Sequence, residues 1–277
     1  MTAHPNASSD VSNPWIRRFA PYGDPSPSRA RLVCFPHAGG AASYYFPLSR
    51  QLAPTVETWA IQYPGRQDRR KEPLLTSLSD MADAAFEALR PHMRPPYSFF
   101  GHSMGALLAF EVAHRFERLG QDGPVQVFVS GRRAPSAGGR ERVPPRTDAE
   151  VLANIKKLGG TAPSALDDEG LRALILPVIR ADYRAVETYV CEAGRTLRCP
   201  LTVLVGDNDP MVTVAEAAQW RDHSTGAFAL SVYPGSHFYL ADQLTDVARG
   251  ISASLAAAVP ARSSARAAEA APPPAAS

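Results

Sequence analysis

Cysteine is scarce in this 277-residue chain: Cys34, Cys191 and Cys199 are the full set. An odd number with no CxxC pair supports neither a disulfide framework nor a zinc ribbon, so the three read as free thiols in a reducing compartment. An excess of one charge is also missing. Lys plus Arg number 29 against 27 Asp plus Glu, a net charge of +2, too balanced for the strong positive field that marks a nucleic-acid partner. No run of about 20 apolar residues occurs. The opening MTAHPNASSDVSNPW has neither a basic n-region nor an apolar h-region, so no membrane partner is expected and the location is expected to be cytoplasmic. No internal repeat is visible, and 26 prolines with 19 glycines are too few for a wholly disordered chain.

What is present is an alternation of strand-like and helical segments. RLVCFPHAGG, TWAIQYPG, YSFFGHS, VQVFVSG, LTVLVGDND and FALSVYPGSH are apolar, β-branched or aromatic runs ending at turn formers, the pattern of strands buried on both faces. Leu78–Leu89 and Met104–Leu119 carry apolar residues at helical spacing, with Gly120 as a C-cap. The sequence therefore predicts an α/β fold with a mostly parallel sheet and helices on both faces. Its domain is expected over 15–259. Residues 1–14 and the Ala/Pro-rich 260–277 lack the apolar content of a core and are expected to be disordered. The stretch at about 140–198 breaks the rhythm with helical patterns at Asp148–Leu158 and Leu166–Val190, and is expected to form a helical lid over the strand ends, with an ordinary αβ connection as the plainer reading. Leu174, Leu176 and Tyr183 are the lid residues expected over the site.

Chemistry concentrates at Gly101-His102-Ser103-Met104-Gly105, a G-x-S-x-G pattern with a strand before it and a helix after it. A serine on such a turn needs tiny neighbours, and the following helix aims its first N–H groups at developing negative charge. Without those flanks the pentapeptide would be only a Gly-rich turn. A serine hydroxyl needs a base, and the base a carboxylate that fixes its tautomer. In chain order both should follow Ser103. Of Asp207 and Asp209, after the strand LTVLVG, Asp209 is favoured because it can reach across before Pro210 redirects the chain. Asp207 reads as a turn residue. His237, after the strand FALSVY, is the histidine in the right order. His4, His92, His114 and His223 read as tail, helix or surface residues.

Two backbone N–H donors must hold the oxyanion. Met104, after the nucleophile, supplies one. The loop His37-Ala38-Gly39-Gly40 supplies the other, and Ala38 is the chosen donor. A phosphate cradle is not supported, since neither GxxxxGK[ST] nor GxGxxG occurs. His37 and Gly39 of that loop are placed among the substrate-binding positions, as is His102 beside the nucleophile, which also reads as a structural residue pointing to the other side of the turn. No metal or organic cofactor is required.

CFPHAGG, QYPGR (62–66), GHSMGA, SGRRAP (130–135), GDNDP and GSHFYL, in this order and spacing, resemble the stand-alone (type II) thioesterases of polyketide and nonribosomal peptide biosynthesis, within the α/β-hydrolase superfamily. The resemblance covers most of the chain. It implies an α/β-hydrolase fold with a helical lid and a Ser103, Asp209, His237 triad. It also implies acyl groups presented as thioesters on the phosphopantetheine arm of acyl carrier protein domains, and a proofreading role that removes aberrant or stalled chains. Fatty-acid thioesterases acting on an acyl carrier protein share the pattern. Medium-chain acyl carrier protein hydrolysis, or a carboxylesterase activity with the same triad, is the alternative enzyme reading, and a silent binding protein on the same fold the non-enzyme one. Basic clusters at 66–71, at Arg132 and Arg133, and at Arg140, Arg142 and Arg146 are candidates for steering an acidic carrier protein, or simply solvated surface.

Overall fold

Successive residues of a strand point to opposite faces, and here both faces are dry. In β2 (Ala30–Phe35) Leu32 and Cys34 join one apolar cluster while Val33 and Phe35 join the other. The same split places Phe99 against Phe100 in β4 (Tyr97–His102), Val127 and Val129 against Phe128 in β5 (Gln126–Ser130), and Val203 and Val205 against Leu204 in β6 (Leu201–Gly206). This is why these strands read as continuous apolar runs. Burial of each large side chain contributes about 1.5–3 kcal/mol.

The computed structural model describes residues 13–19, 30–53, 55–120, 123–137, 147–159 and 168–258. Together with β1 (Ile16–Arg18), β3 (Val56–Ile61) and β7 (Phe228–Tyr233), the strands form one sheet in the order β1-β3-β2-β4-β5-β6-β7. All pairings are parallel except β1 with β3. On one face lie α2 (Leu78–Leu89) and α3 (Met104–Arg118). On the other lie α1 (Phe46–Leu52) and a C-terminal helix, Leu244–Ala258. The chain moves from β2 outward to β3 and then crosses back to β4 on the other side of β2. The loops leaving β2 and β4 therefore diverge, opening the crevice at the carboxyl ends of the strands where open α/β sheets bind ligands.

Two helices over that crevice are α4 (Asp148–Leu158) and α5 (Glu169–Glu187). A capping box between Thr147 and Glu150 starts the first, and the Asp168 carboxylate caps the second by accepting from Leu171 N at 2.8 Å. Val151 and Ile155 of α4 pack on Ile179 of α5. A short helix α6 (Val214–Ala218) follows β6, and the C-terminal helix is α7.

Four elements were not anticipated. β1 is only three residues and α6 only five, and α1 is short with Pro47 in its first turn. The fourth, α7, did carry a signal: Leu244, Val247, Ala248, Ile251 and Leu255 recur at helical spacing and the last four are buried. The expected disorder of 1–14 is corrected at its edge. Asn13 donates to Ala88 O at 3.3 Å and accepts from Trp15 N at 2.9 Å, which ties the chain down two residues earlier than expected. The rest of that segment and residues 260–277 lie outside the described residues. Among the described residues no helix is long and apolar enough to cross a membrane, and Cys34, Cys191 and Cys199 are free thiols.

Candidate active site

Ser103 sits between the end of β4 and the start of α3 with φ 56° and ψ −116°, a region that non-glycine residues occupy only under constraint. The constraint is steric and hydrogen-bonded. A Cβ on Gly101 would lie 1.9 Å from the carbonyl oxygen of Gly105, and one on Gly105 would lie 1.9 Å from that of Phe35. Only hydrogen fits at either position, so the backbone can double back tightly enough to raise the serine. Ser103 N donates to Ser130 O at 2.8 Å, pinning the turn to β5.

Asp209 follows β6 and His237 follows β7, neighbouring parallel strands whose end loops are laced together. Asn208 N donates to Gly235 O at 3.0 Å, and Gly235 N to the Asp207 carboxylate at 2.9 Å. That contact gives Asp207 its part as a turn residue. His237 Nδ1 lies 2.8 Å from Asp209 Oδ2, and Asp209 Oδ1 accepts from Met211 N at 2.8 Å. Both side chains are buried. An ionised carboxylate only accepts, so Nδ1 of His237 is the donor in that bond.

A cavity of about 180 Å³ is lined by Ser103, His237, Ala38 and Met104 together. The amide of Met104, at the first position of α3, has no partner within its helix. Beside it a second cavity of about 370 Å³ is lined by His37, Gly39, Tyr44, Ile179 and Phe238. Ala38, Leu158 and Tyr183 border both cavities. Tyr183 thus covers the site from α5, whereas Leu174 is 63% exposed and Leu176 packs within the α4–α5 cluster.

Of the two readings of His102, its surroundings fit the structural one and not a place among the substrate-binding positions. It is fully enclosed and borders neither cavity, with Nδ1 2.9 Å from Ser130 Oγ, which in turn lies 2.6 Å from Tyr239 OH. Its ring lies behind that of His237, with centroids 5.0 Å apart. Burial, then the neighbouring His237 and His37, hold it well below the usual histidine range. His37 is pushed down to about 3, by burial first and then by His237 and Arg66. Two of the three clustered imidazoles therefore stay neutral near pH 7 and add no charge of their own beside His237. His223 is also buried rather than superficial, bonded to Arg195 O and to Ser136 Oγ, each at 2.8 Å.

The basic clusters divide differently from expectation. Arg66 and Arg69 are buried: Arg66 pairs with Asp182, while Arg69 pairs with Glu72 and donates to Gln62 O at 2.7 Å. Neither faces a docking partner, and Arg70 and Lys71 are the exposed cations of that run. Arg132 and Arg133 line the cavity that holds Ser103 and His237. Arg140, Arg142 and Arg146 lie outside the described residues. Asp182 was missed altogether, although a lone acid at the spacing of Val178, Ile179, Ala181 and Ala185 was visible on the apolar face of a helix. Burial pushes its carboxyl up, and Arg66 and the Gly39 amide beside it pull it back.

Residues 30–255 match the family model described as a thioesterase domain. The chain is 50% identical over 246 residues to a probable cadicidin biosynthesis thioesterase of Streptomyces griseus, covering 89% of this chain and 67% of that one. It is 46% identical over 239 residues to thioesterase PikA5 of Streptomyces venezuelae, covering 86% and 84%. Among solved structures it superposes on the type II thioesterase BorB from the borrelidin biosynthetic cluster with a TM-score of 0.78, at 43% identity, covering 87% of this chain and 98% of that one.

Proposed function

Since the chain belongs to the thioesterase family, with the α/β-hydrolase fold and thioester hydrolysis as its chemistry, we propose that Ser103, His237 and Asp209 carry out that hydrolysis on acyl groups held by the phosphopantetheine arm of a carrier protein. The biological task is that of a type II enzyme of polyketide or nonribosomal peptide assembly: clearing aberrant or stalled acyl chains from the synthase. The observation that carries the assignment is the 2.8 Å bond from His237 to Asp209 behind a cavity that also exposes Ser103 and borders Ala38 and Met104.

In the first half-reaction His237 Nε2 takes the Ser103 proton as Oγ attacks the thioester carbonyl. Asp209 stabilises the imidazolium and keeps the ring oriented. The N–H groups of Ala38 and Met104 hold the tetrahedral oxyanion, a contribution of about 3–4 kcal/mol per donor in comparable sites. The carbon–sulfur bond then breaks, and His237 returns the proton to the pantetheine sulfur. A thiol ionises near ~8.5, so its thiolate leaves with little acid assistance. In the second half-reaction water loses a proton to His237 and attacks the Ser103 ester, giving the free acid and the original serine.

The test is turnover of one acyl group offered three ways: on a carrier protein, on free pantetheine, and as a p-nitrophenyl ester. The proposal expects kcat/KM to fall in that order. A preference for the oxygen ester would make the chain an esterase, and unchanged hydrolysis after Ser103→Ala would falsify the nucleophile.

A further inference from the structure

The loop that carries Ala38 is held from outside by the helix that covers the site. We propose that Asp182 of α5 is a positioning residue for this loop: it fixes the Gly39 N–H, and so keeps the adjoining Ala38 amide aimed into the catalytic cavity. The proposal rests on the reading of Ala38 as an oxyanion donor.

Three observations carry it. Asp182 is fully buried, and its Oδ2 accepts from Gly39 N at 2.7 Å and from the guanidinium of Arg66. Arg66 is itself anchored by donating to Pro64 O at 2.7 Å, so the carboxylate is clamped to the loop after β3 as well as to the loop after β2. Gly39 has φ +76°, and a Cβ there would lie 2.7 Å from Cγ1 of Ile179, on the same helix as Asp182 and three residues before it. The loop backbone is therefore pressed directly on α5.

The physical logic follows from what a glycine loop lacks. Gly39 and Gly40 let the main chain approach a substrate, but they leave it free to rotate. An oxyanion donor works only when it is fixed before the charge develops. A carboxylate removed from water is costly unless paired, and here it is paired with the Gly39 N–H next to the donor and with a cation that holds it in place. Because that carboxylate stands on α5 and not on the sheet, the donor geometry depends on the covering helix being seated. The seated helix completes the oxyanion site as well as roofing the cavity.

The experiment uses the full chain with Asp182→Ala and Asp182→Asn. Asn keeps an oxygen acceptor for Gly39 N–H, and Ala does not. For each variant one measures kcat and KM on an acyl-pantetheine, the inhibition constant of the matching trifluoromethyl ketone, which adds to the serine and forms an oxyanion, and the affinity of the matching thioether, which cannot. For Ala the expected result is a kcat lower by on the order of 10²-fold, KM within twofold, ketone binding weakened by the same factor as kcat, and thioether binding unchanged. Asn should recover most of the loss. If Ala fails to fold, the double variant Arg66→Met with Asp182→Leu removes the acceptor without leaving a buried charge, and should show the same selective loss. A ketone-to-thioether ratio equal to wild type in Asp182→Ala, or in the double variant where Ala fails to fold, would overturn the proposal, since a merely loosened helix weakens both ligands together. Should the wild-type protein bind the ketone no better than the thioether, the oxyanion reading itself fails and this proposal with it.

Discussion

Asp209 and His237 stand 28 residues apart in the chain, yet their side chains meet at 2.8 Å because they leave the ends of two adjacent parallel strands. Asp207, two residues earlier, instead accepts from Gly235 N and Asn208 Nδ2 in an exposed turn. Asp209→Asn should lower kcat by on the order of 10³–10⁴-fold, because an amide can donate to Nδ1 and turn the imidazole into the wrong tautomer. Asp207→Asn should leave kcat within a few-fold. Steady-state turnover of an acyl-pantetheine by the two variants separates the assignments, and the reverse pattern would move the acid to Asp207.

Backbone strain at Ser103 predicts opposite effects on stability and activity. At φ 56° and ψ −116° a side chain costs about 1–3 kcal/mol that glycine avoids. Ser103→Gly should abolish turnover and fluorophosphonate labelling while raising the unfolding free energy by about 1 kcal/mol relative to Ser103→Ala. Denaturant titration of the two variants reads the difference directly. Equal stabilities would show that the turn is not strained.

Packing at the elbow leaves no room for a methyl group. A Cβ on Gly105 would approach the Phe35 carbonyl to 1.9 Å, and that oxygen also accepts from Tyr45 OH at 2.8 Å. Gly105→Ala should therefore destabilise by about 3 kcal/mol, at the upper end of overpacking costs, with activity lost through displacement of Ser103. Thermal unfolding checks this, and a melting point near wild type would mean the helix shifts at little cost.

Acid should weaken the fold before the carboxylates titrate. Burial, with His237 and Arg66 adding to it, lowers His37 to about 3, and His102 is lowered in the same direction. In the unfolded chain both titrate near ~6.5. Below that value the unfolded state binds protons that the folded state refuses, so stability is complete above ~6.5 and falls as pH drops toward 3. At pH 5.5 the loss is on the order of 1 kcal/mol for each histidine. His114 is lowered in the same direction, by burial first, so His37→Gln should remove about a third to a half of the fall in unfolding free energy between pH 7.5 and 5.5. An unaltered pH dependence in that variant would place the effect elsewhere.

Much of this architecture was legible because the rules that wrote it are local. Apolar runs ending at turn formers mark strands buried on both faces. The spacing in Leu78–Leu89 and Asp148–Leu158 matches the helices observed there. Gly101, Ser103 and Gly105 declare a tight strand-to-helix turn through steric demands that act over five residues. The C-terminal helix was equally local and was passed over, although Val247, Ala248, Ile251 and Leu255 form a regular stripe. His102 carried two readings because a position beside Ser103 does not by itself fix which way the ring points. Being the last residue of β4, its side chain goes into the sheet's packing and bonds Ser130.

What the sequence by itself determined is therefore the six parallel strands, the longer helices between them, the tight turn at Ser103, and the chain order in which Asp209 and His237 follow it. Which basic residues are solvated, which acid braces the Ala38 loop, and which helix roofs the cavity were decided only in three dimensions. Arg66 and Asp182 are 116 residues apart, and nothing in either neighbourhood names the other. Their pairing follows from how the covering helix settles on the loops after β2 and β3, and such long-range packing has no period along the chain from which it could be read.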